Sequence, residues 1–120
     1  MATYEVSQPR EDIVRVAFLP EWDAARDSEP MFREVLAMLD DQERAVTLLI
    51  VAGEFRPVYE AKALSPARGI LYHDNIKKIV IVAQDARLAV AHMGASRGER
   101  GMAPIPMFAF DTEGEALAEL

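Results

Sequence analysis

The sequence predicts a single α/β domain, with helices packed against a mixed sheet. Two observations predict this class. Residues 46–52 and 76–83 have the apolar, β-branched composition of strands that are covered on both faces. The segments around them have the apolar spacing of amphipathic helices. The chain has 120 residues, 51% of them hydrophobic and 28% charged, and no segment resembles a linker, so we expect one domain over residues 1–120.

The N-terminal part predicts a β-hairpin followed by a helix. Residues 3–6 and 13–19 alternate between apolar and polar, with a polar turn over residues 8–12. The helix is expected to start at residues 28–30, where Ser28 caps the free amides and Pro30 occupies the first turn. A helical stripe follows and ends at residues 40–42. Its members are Met31, Phe32, Val35, Leu36 and Leu39.

The rest of the chain alternates helices and strands around the two buried runs. Helices are predicted over residues 58–64 and 85–94, with a turn or short helix over 65–72 and a long loop over 94–106. A short strand over 107–110 then leads into a C-terminal helix that starts at the capping box of residues 112–115. This helix directs Ala116, Leu117 and Leu120 inward. The expected order is β-β-α-β-α-β-α-β-α.

Composition excludes several classes of function. The chain has no cysteine, which excludes disulfides, thiolate metal sites and cysteine nucleophiles. The net charge is −7, with acidic ends and a basic excess only in residues 54–100, so we expect no nucleic-acid partner. No secretory signal is visible, and no apolar run approaches the ~20 residues of a membrane span, so we expect a cytoplasmic protein without a transmembrane segment.

Three stretches carry a resemblance to a known family: residues 73–82, residues 107–117 and the strand at 46–52. With the element order, they resemble the STAS domain, in particular the SpoIIAA-like anti-sigma-factor antagonists and the related STAS/SEC14-type proteins. The resemblance implies a layered α/β fold and a regulatory role through protein contacts. Antagonists that work by phosphorylation carry a serine in the turn after the third strand. The turn here, residues 52–57, has no hydroxyl group, so the phosphorylation switch is not expected.

Six side chains are candidate ligand contacts. Arg56, Tyr59 and Lys62 lie at the start of the helix after the central strand, where backbone amides and the helix dipole attract anions. Arg97 and Arg100 lie in the glycine-rich loop over residues 94–106, where a guanidinium can bind a phosphate or carboxylate. His73, next to Asp74, is the best acid–base candidate. The six are Arg56, Tyr59, Lys62, His73, Arg97 and Arg100. Each candidate also has a purely structural interpretation. The helix-start group would form ordinary surface ion pairs, the glycine-rich loop would be solvated, and His73 would be an ordinary loop histidine. We expect no catalytic residue, no metal and no cofactor, since neither histidine has the spacing of a zinc motif and Ser96 lacks a nucleophile-elbow context.

The leading hypothesis is a non-catalytic STAS-like regulatory or interaction module that binds a protein partner or associates with itself. The alternative is a carrier of a small anionic or apolar, lipid-like ligand at the turn of residues 52–59. A third hypothesis is an enzyme that uses Tyr59 or His73 as an acid–base group.

Overall fold

The structure, a computed structural model, describes residues 3–53, 73–83 and 106–120. The described part is an α/β arrangement with one mixed sheet, as the sequence predicts. Its strands are β1 (Tyr4–Arg10), β2 (Ile13–Phe18), β3 (Val46–Gly53), β4 (Ile76–Ala83) and β5 (Met107–Phe110). Its helices are α1 (Ala24–Asp40) and α2 (Glu113–Glu119). The helices predicted over 58–72 and 85–94 lie outside the described residues, as does the loop over 94–106 except for its last residue.

The five strands lie side by side in chain order. β1 and β2 form an antiparallel hairpin, and the pairs β2–β3, β3–β4 and β4–β5 are all parallel. The two apolar runs therefore form neighbouring interior strands, as predicted. Leu48, Leu49, Ile79 and Val80 are at most 1% exposed, which is why neither strand shows the alternating pattern of a half-exposed one.

Helix α1 covers one face of the sheet, called the first face below. Met31, Val35 and Leu39 recur every four residues and are fully buried against this face, which confirms the predicted stripe. Burying a side chain of this size contributes about 1.5–3 kcal/mol. The strands contribute Val14, Val16 and Leu48, among others, to the same cluster.

The opposite, second face of the sheet contacts α2. Ile13, Leu49, Val80 and Val82 form a cluster there with Ala116 of the helix. Leu117 and Leu120 pack against this cluster, so the inward residues predicted for α2 are confirmed. Thr112 Oγ1 accepts a hydrogen bond from the backbone N–H of Glu115 at 3.2 Å, as the capping box predicts.

The start predicted for α1 is wrong. The helix begins at Ala24 rather than near residue 28, and Pro30 lies inside it. Asp23 is the N-cap, and its carboxylate accepts a hydrogen bond from the N–H of Ala25 at 2.8 Å. The carboxylate of Asp27 accepts a hydrogen bond from the backbone N–H of Asp23 at 2.9 Å. These two bonds stabilise a start one turn earlier than the apolar stripe indicates.

The end predicted for β1 is also wrong. The polar residues 8–10 extend this strand instead of forming the turn, which is confined to Glu11 and Asp12. A shift in register between Ser7 and Arg10 accommodates Pro9. Proline is tolerated there because β1 lies at the edge of the described sheet, where one side of the backbone needs no ladder partner.

Candidate functional site

Only one of the six candidate ligand contacts, His73, lies within the described residues. The other five fall in the parts of the chain that the structure does not describe, so their arrangement stays a prediction. They are Arg56, Tyr59, Lys62, Arg97 and Arg100. Nearly all of the turn at residues 52–59, which is the predicted site of the carrier alternative, falls there too.

His73 occupies the turn that leads into β4, and both of its ring nitrogens have partners. Nε2 lies 2.7 Å from Oδ1 of Asp40, at the C-terminal end of α1. Nδ1 accepts a hydrogen bond from the backbone N–H of Asn75 at 3.1 Å. Because Nδ1 accepts, the ring hydrogen of the neutral tautomer is on Nε2 and is donated to Asp40. The carboxylate that orients the ring is therefore Asp40 and not the neighbouring Asp74.

Asn75 completes this connection between the turn and the helix. Its side-chain Nδ2 donates to the carbonyl oxygens of Leu39 at 2.8 Å and Gln42 at 3.2 Å, at the end of α1. Its own carbonyl accepts from the N–H of Val46, the first residue of β3, at 2.7 Å. The two residues thus satisfy free groups at the helix end and fix the start of β3.

Sequence reasoning missed Asp40 and Asn75 as partners of this turn. The two ends of the His73–Asp40 contact are 33 residues apart, and nothing in either local sequence indicates the other. The one local signal is the Asp74-Asn75 pair before an apolar run, which is typical of a turn but does not indicate a helix cap.

An open groove of about 590 Å³ lies at the amino ends of β3 and β4. It is lined by the β1–β2 turn, the α1–β3 connection and Lys77. Four carboxylates line it against two basic side chains: Glu11, Asp12, Asp41 and Glu43 against Arg44 and Lys77. The groove is at the opposite end of the parallel strands from the position favoured by the sequence. Among the described residues, no group of three or more histidine and carboxylate side chains is placed to hold a metal ion.

An aromatic side chain is exposed on strand β5. Phe108 is 46% exposed and is the single large hydrophobic residue that is exposed in the described ranges. The Nζ of Lys78, on the neighbouring strand β4, lies 5.7 Å from the centre of the Phe108 ring. This is a cation–π geometry, in which the ammonium group lies over the electron-rich face of the ring. The pair presents a positive charge and an apolar surface together.

Two charged clusters of the described part connect neighbouring elements, one at the start of α1 and one between the hairpin and α2. The Arg26 guanidinium, the backbone N–H of Asp23 and the Thr3 side chain bond to the Asp27 carboxylate and lower its pKa to about 2. On the second face, hydrogen bonds from Arg15 to Glu113 and then to Glu5 raise the pKa of this arginine, and burial opposes them. Burial, followed by the charge of Glu34, raises the pKa of Tyr4.

Comparison of the chain with family models, with curated proteins and with solved structures finds no match. Neither helix of the described ranges has the length and apolar character needed to cross a membrane.

Proposed function

We propose that this chain is a non-catalytic, STAS-like interaction module that binds a protein partner or a second copy of itself. The described elements include the parts on which the resemblance rests: the N-terminal hairpin, the two interior strands, and the short last strand that leads into a capped helix. The partner would be recognised through a surface contact rather than through a chemical step.

The bonding of His73 supports a non-catalytic role for this residue. A general base needs a free nitrogen within reach of a substrate proton. In His73 one nitrogen accepts a backbone N–H and the other contacts Asp40. The ring is therefore engaged in joining α1 to the start of β4.

The exposed Phe108 is the observation that carries the proposal. Aromatic side chains are enriched in the cores of protein interfaces because they bury a large apolar area, whereas the rim of an interface is polar and accommodates charged groups. The partner expected on this surface has an apolar contact for the ring and a carboxylate for Lys78. The acidic character of most of this chain makes a second copy one such partner.

The test is retention of a partner by the immobilised chain and by three variants. F108S and K78S should reduce retention of the partner that the wild-type chain binds, F108S by at least tenfold and K78S by less. K77S is the matched control, since Lys77 is the preceding residue of β4 and lies beside the groove instead. Sedimentation of the same proteins shows whether the partner is a second copy, in which case F108S shifts the dimer to monomer.

The proposal fails if the wild-type chain neither associates with itself nor retains any protein reproducibly from its source cells. It also fails if F108S binds as tightly as K77S.

A further inference from the structure

The helix α2 is held to the second face by polar contacts at both of its ends. At its first residue, the Glu113 carboxylate accepts two hydrogen bonds from Arg15 of β2, from Nε at 2.6 Å and from Nη2 at 3.3 Å. The remaining guanidinium nitrogen, Nη1, bonds to Glu5 of β1 at 3.1 Å. At the other end, Arg10 Nη1 donates to the backbone carbonyl of Leu120 at 3.1 Å.

The apolar contact beneath α2 is small compared with the contact beneath α1. Helix α1 buries Met31, Val35 and Leu39 completely, whereas Ala116 is the one residue of α2 that is fully buried. Leu117 and Leu120 are partly exposed. A helix of seven residues is also too short to be stable without its contacts, because the cost of nucleation is recovered only over about 12–15 residues. Once undocked, α2 would unfold.

The charge of the C-terminal segment explains why basic residues face it. Residues 101–120 contain four acidic and no basic side chains, so the segment has no internal compensation for its charge. Arg10 and Arg15 are both supplied by the hairpin, and Arg15 is also close to Glu5. Attraction between the hairpin and the helix therefore provides part of the docking energy that a larger apolar contact provides for α1.

We propose that residues 113–120 form a C-terminal strap, which opens and closes over the second face independently of the rest of the fold and is held closed by the Arg15–Glu113 ion pair. Opening removes Ala116, Leu117 and Leu120 from the apolar cluster that includes Val80 and Val82. The strap is a conformational device at this cluster, on the same face of the sheet as Phe108, which pairs with Val80. Local opening at energies below that of global unfolding is expected of elements with few buried apolar contacts.

Amide hydrogen exchange of the full chain tests the strap. In the wild-type protein the amides of Ala116 and Leu117 should exchange faster than those of β3 and β4. E113Q should accelerate exchange at α2 by about fivefold, the effect of losing one well-formed ion pair, and leave β3 and β4 unchanged. E115Q is the matched control, because it removes one exposed negative charge from the same first turn without touching Arg15.

Salt supplies a second arm of the same experiment. Raising the ionic strength from about 0.1 M to about 1 M shortens the Debye length from about 10 Å to about 3 Å. The wild-type and E115Q proteins should then open α2 more often, whereas E113Q should respond less because its ion pair is already absent.

A chemical probe keeps the proposal testable if exchange at the short helix is too fast to measure. The chain has no cysteine, so A116C introduces a single thiol on the buried side of the strap. Its labelling rate should rise with E113Q and not with E115Q. A52C, whose side chain is buried against the first face, should label slowly in both backgrounds. Equal acceleration of A116C and A52C would show that α2 opens only with the whole fold and would overturn the proposal, as would an E113Q variant that behaves like E115Q.

Discussion

At the scale of single residues, the described part uses its buried polar groups to join elements. Asp27 is 6% exposed, and its carboxylate accepts bonds from the guanidinium of Arg26 and the backbone N–H of Asp23. These donors favour the charged form and lower the pKa of Asp27 from 3.8 to about 2. Because the folded-state pKa lies below the unfolded value, the stabilisation is complete above about pH 4 and is lost as the pH falls towards 2.

Replacing Asp27 tests this contribution. D27N should lower the free energy of unfolding at pH 7 and flatten its pH dependence between about pH 4 and pH 2. Chemical denaturation across this pH range measures both effects. D23N is the control, because asparagine caps a helix as well as aspartate does and should retain most of the stability. An unchanged pH profile in D27N would contradict the assignment.

The Asn75 side chain gives a second prediction at this scale. N75A leaves the carbonyl groups of Leu39 and Gln42 without this donor and should reduce the free energy of unfolding by about 1–3 kcal/mol. N75D keeps the shape of the side chain but has no N–H to donate, so its loss should be at least as large. Urea denaturation at pH 7 measures both variants. Stability equal to that of the exposed control D74A would disprove the helix-capping role.

At the scale of elements, the start of α1 is determined by its cap rather than by its apolar stripe. The stripe begins at Met31, but the bonds of Asp23 and Asp27 extend the helix back to Ala24. Pro30 is thereby placed inside the helix, where it has no N–H to donate to the carbonyl of Arg26. The first turns of α1 are consequently weaker than their polar capping suggests.

Pro30 is therefore expected to be a site of stabilisation. P30A restores the missing amide donor with the best helix former and should raise the free energy of unfolding by about 1–3 kcal/mol. P30G also restores the amide but increases the freedom of the unfolded chain, so its gain should be about 1 kcal/mol smaller. Thermal and urea denaturation provide the comparison. A destabilised P30A would mean that proline fits this position for a reason other than the local backbone.

At the scale of the whole molecule, the sheet links regions that are far apart in the chain. The hairpin contacts β3, β3 contacts β4, and β4 contacts β5, so the strands form one continuous ladder. The buried clusters on the two faces share the same strands, since alternate residues of β3 and β4 contribute to each. The strands are therefore expected to unfold together even though α2 opens alone.

Two tryptophan probes test this cooperativity. The single tryptophan, Trp22, stacks on Phe18 of β2 with ring centres 4.7 Å apart and reports on the N-terminal side of the sheet. The double variant W22F/F108W moves the probe to β5. In each protein, the denaturation midpoint measured by tryptophan fluorescence should equal the midpoint measured by far-UV circular dichroism. Separate midpoints for fluorescence and circular dichroism would show that the sheet contains more than one cooperative unit.

The sequence by itself determined the features whose information lies within a few neighbouring residues. The two apolar runs predict buried strands, the spacing of Met31, Val35 and Leu39 predicts the inner face of α1, and Thr112 predicts the start of α2. In each case the spacing of apolar side chains, or a capping residue within three positions, is enough to predict the element.

Only the tertiary structure decided the order of the strands and the partners of the polar groups. His73 and Asp40 are 33 residues apart, and Arg15 and Glu113 are 98 apart, so both contacts depend on how the helices cross the sheet. A charged or polar side chain has many partners of suitable chemistry in a chain of this composition. The fold selects among them by bringing one within bonding distance, and no local pattern encodes that distance.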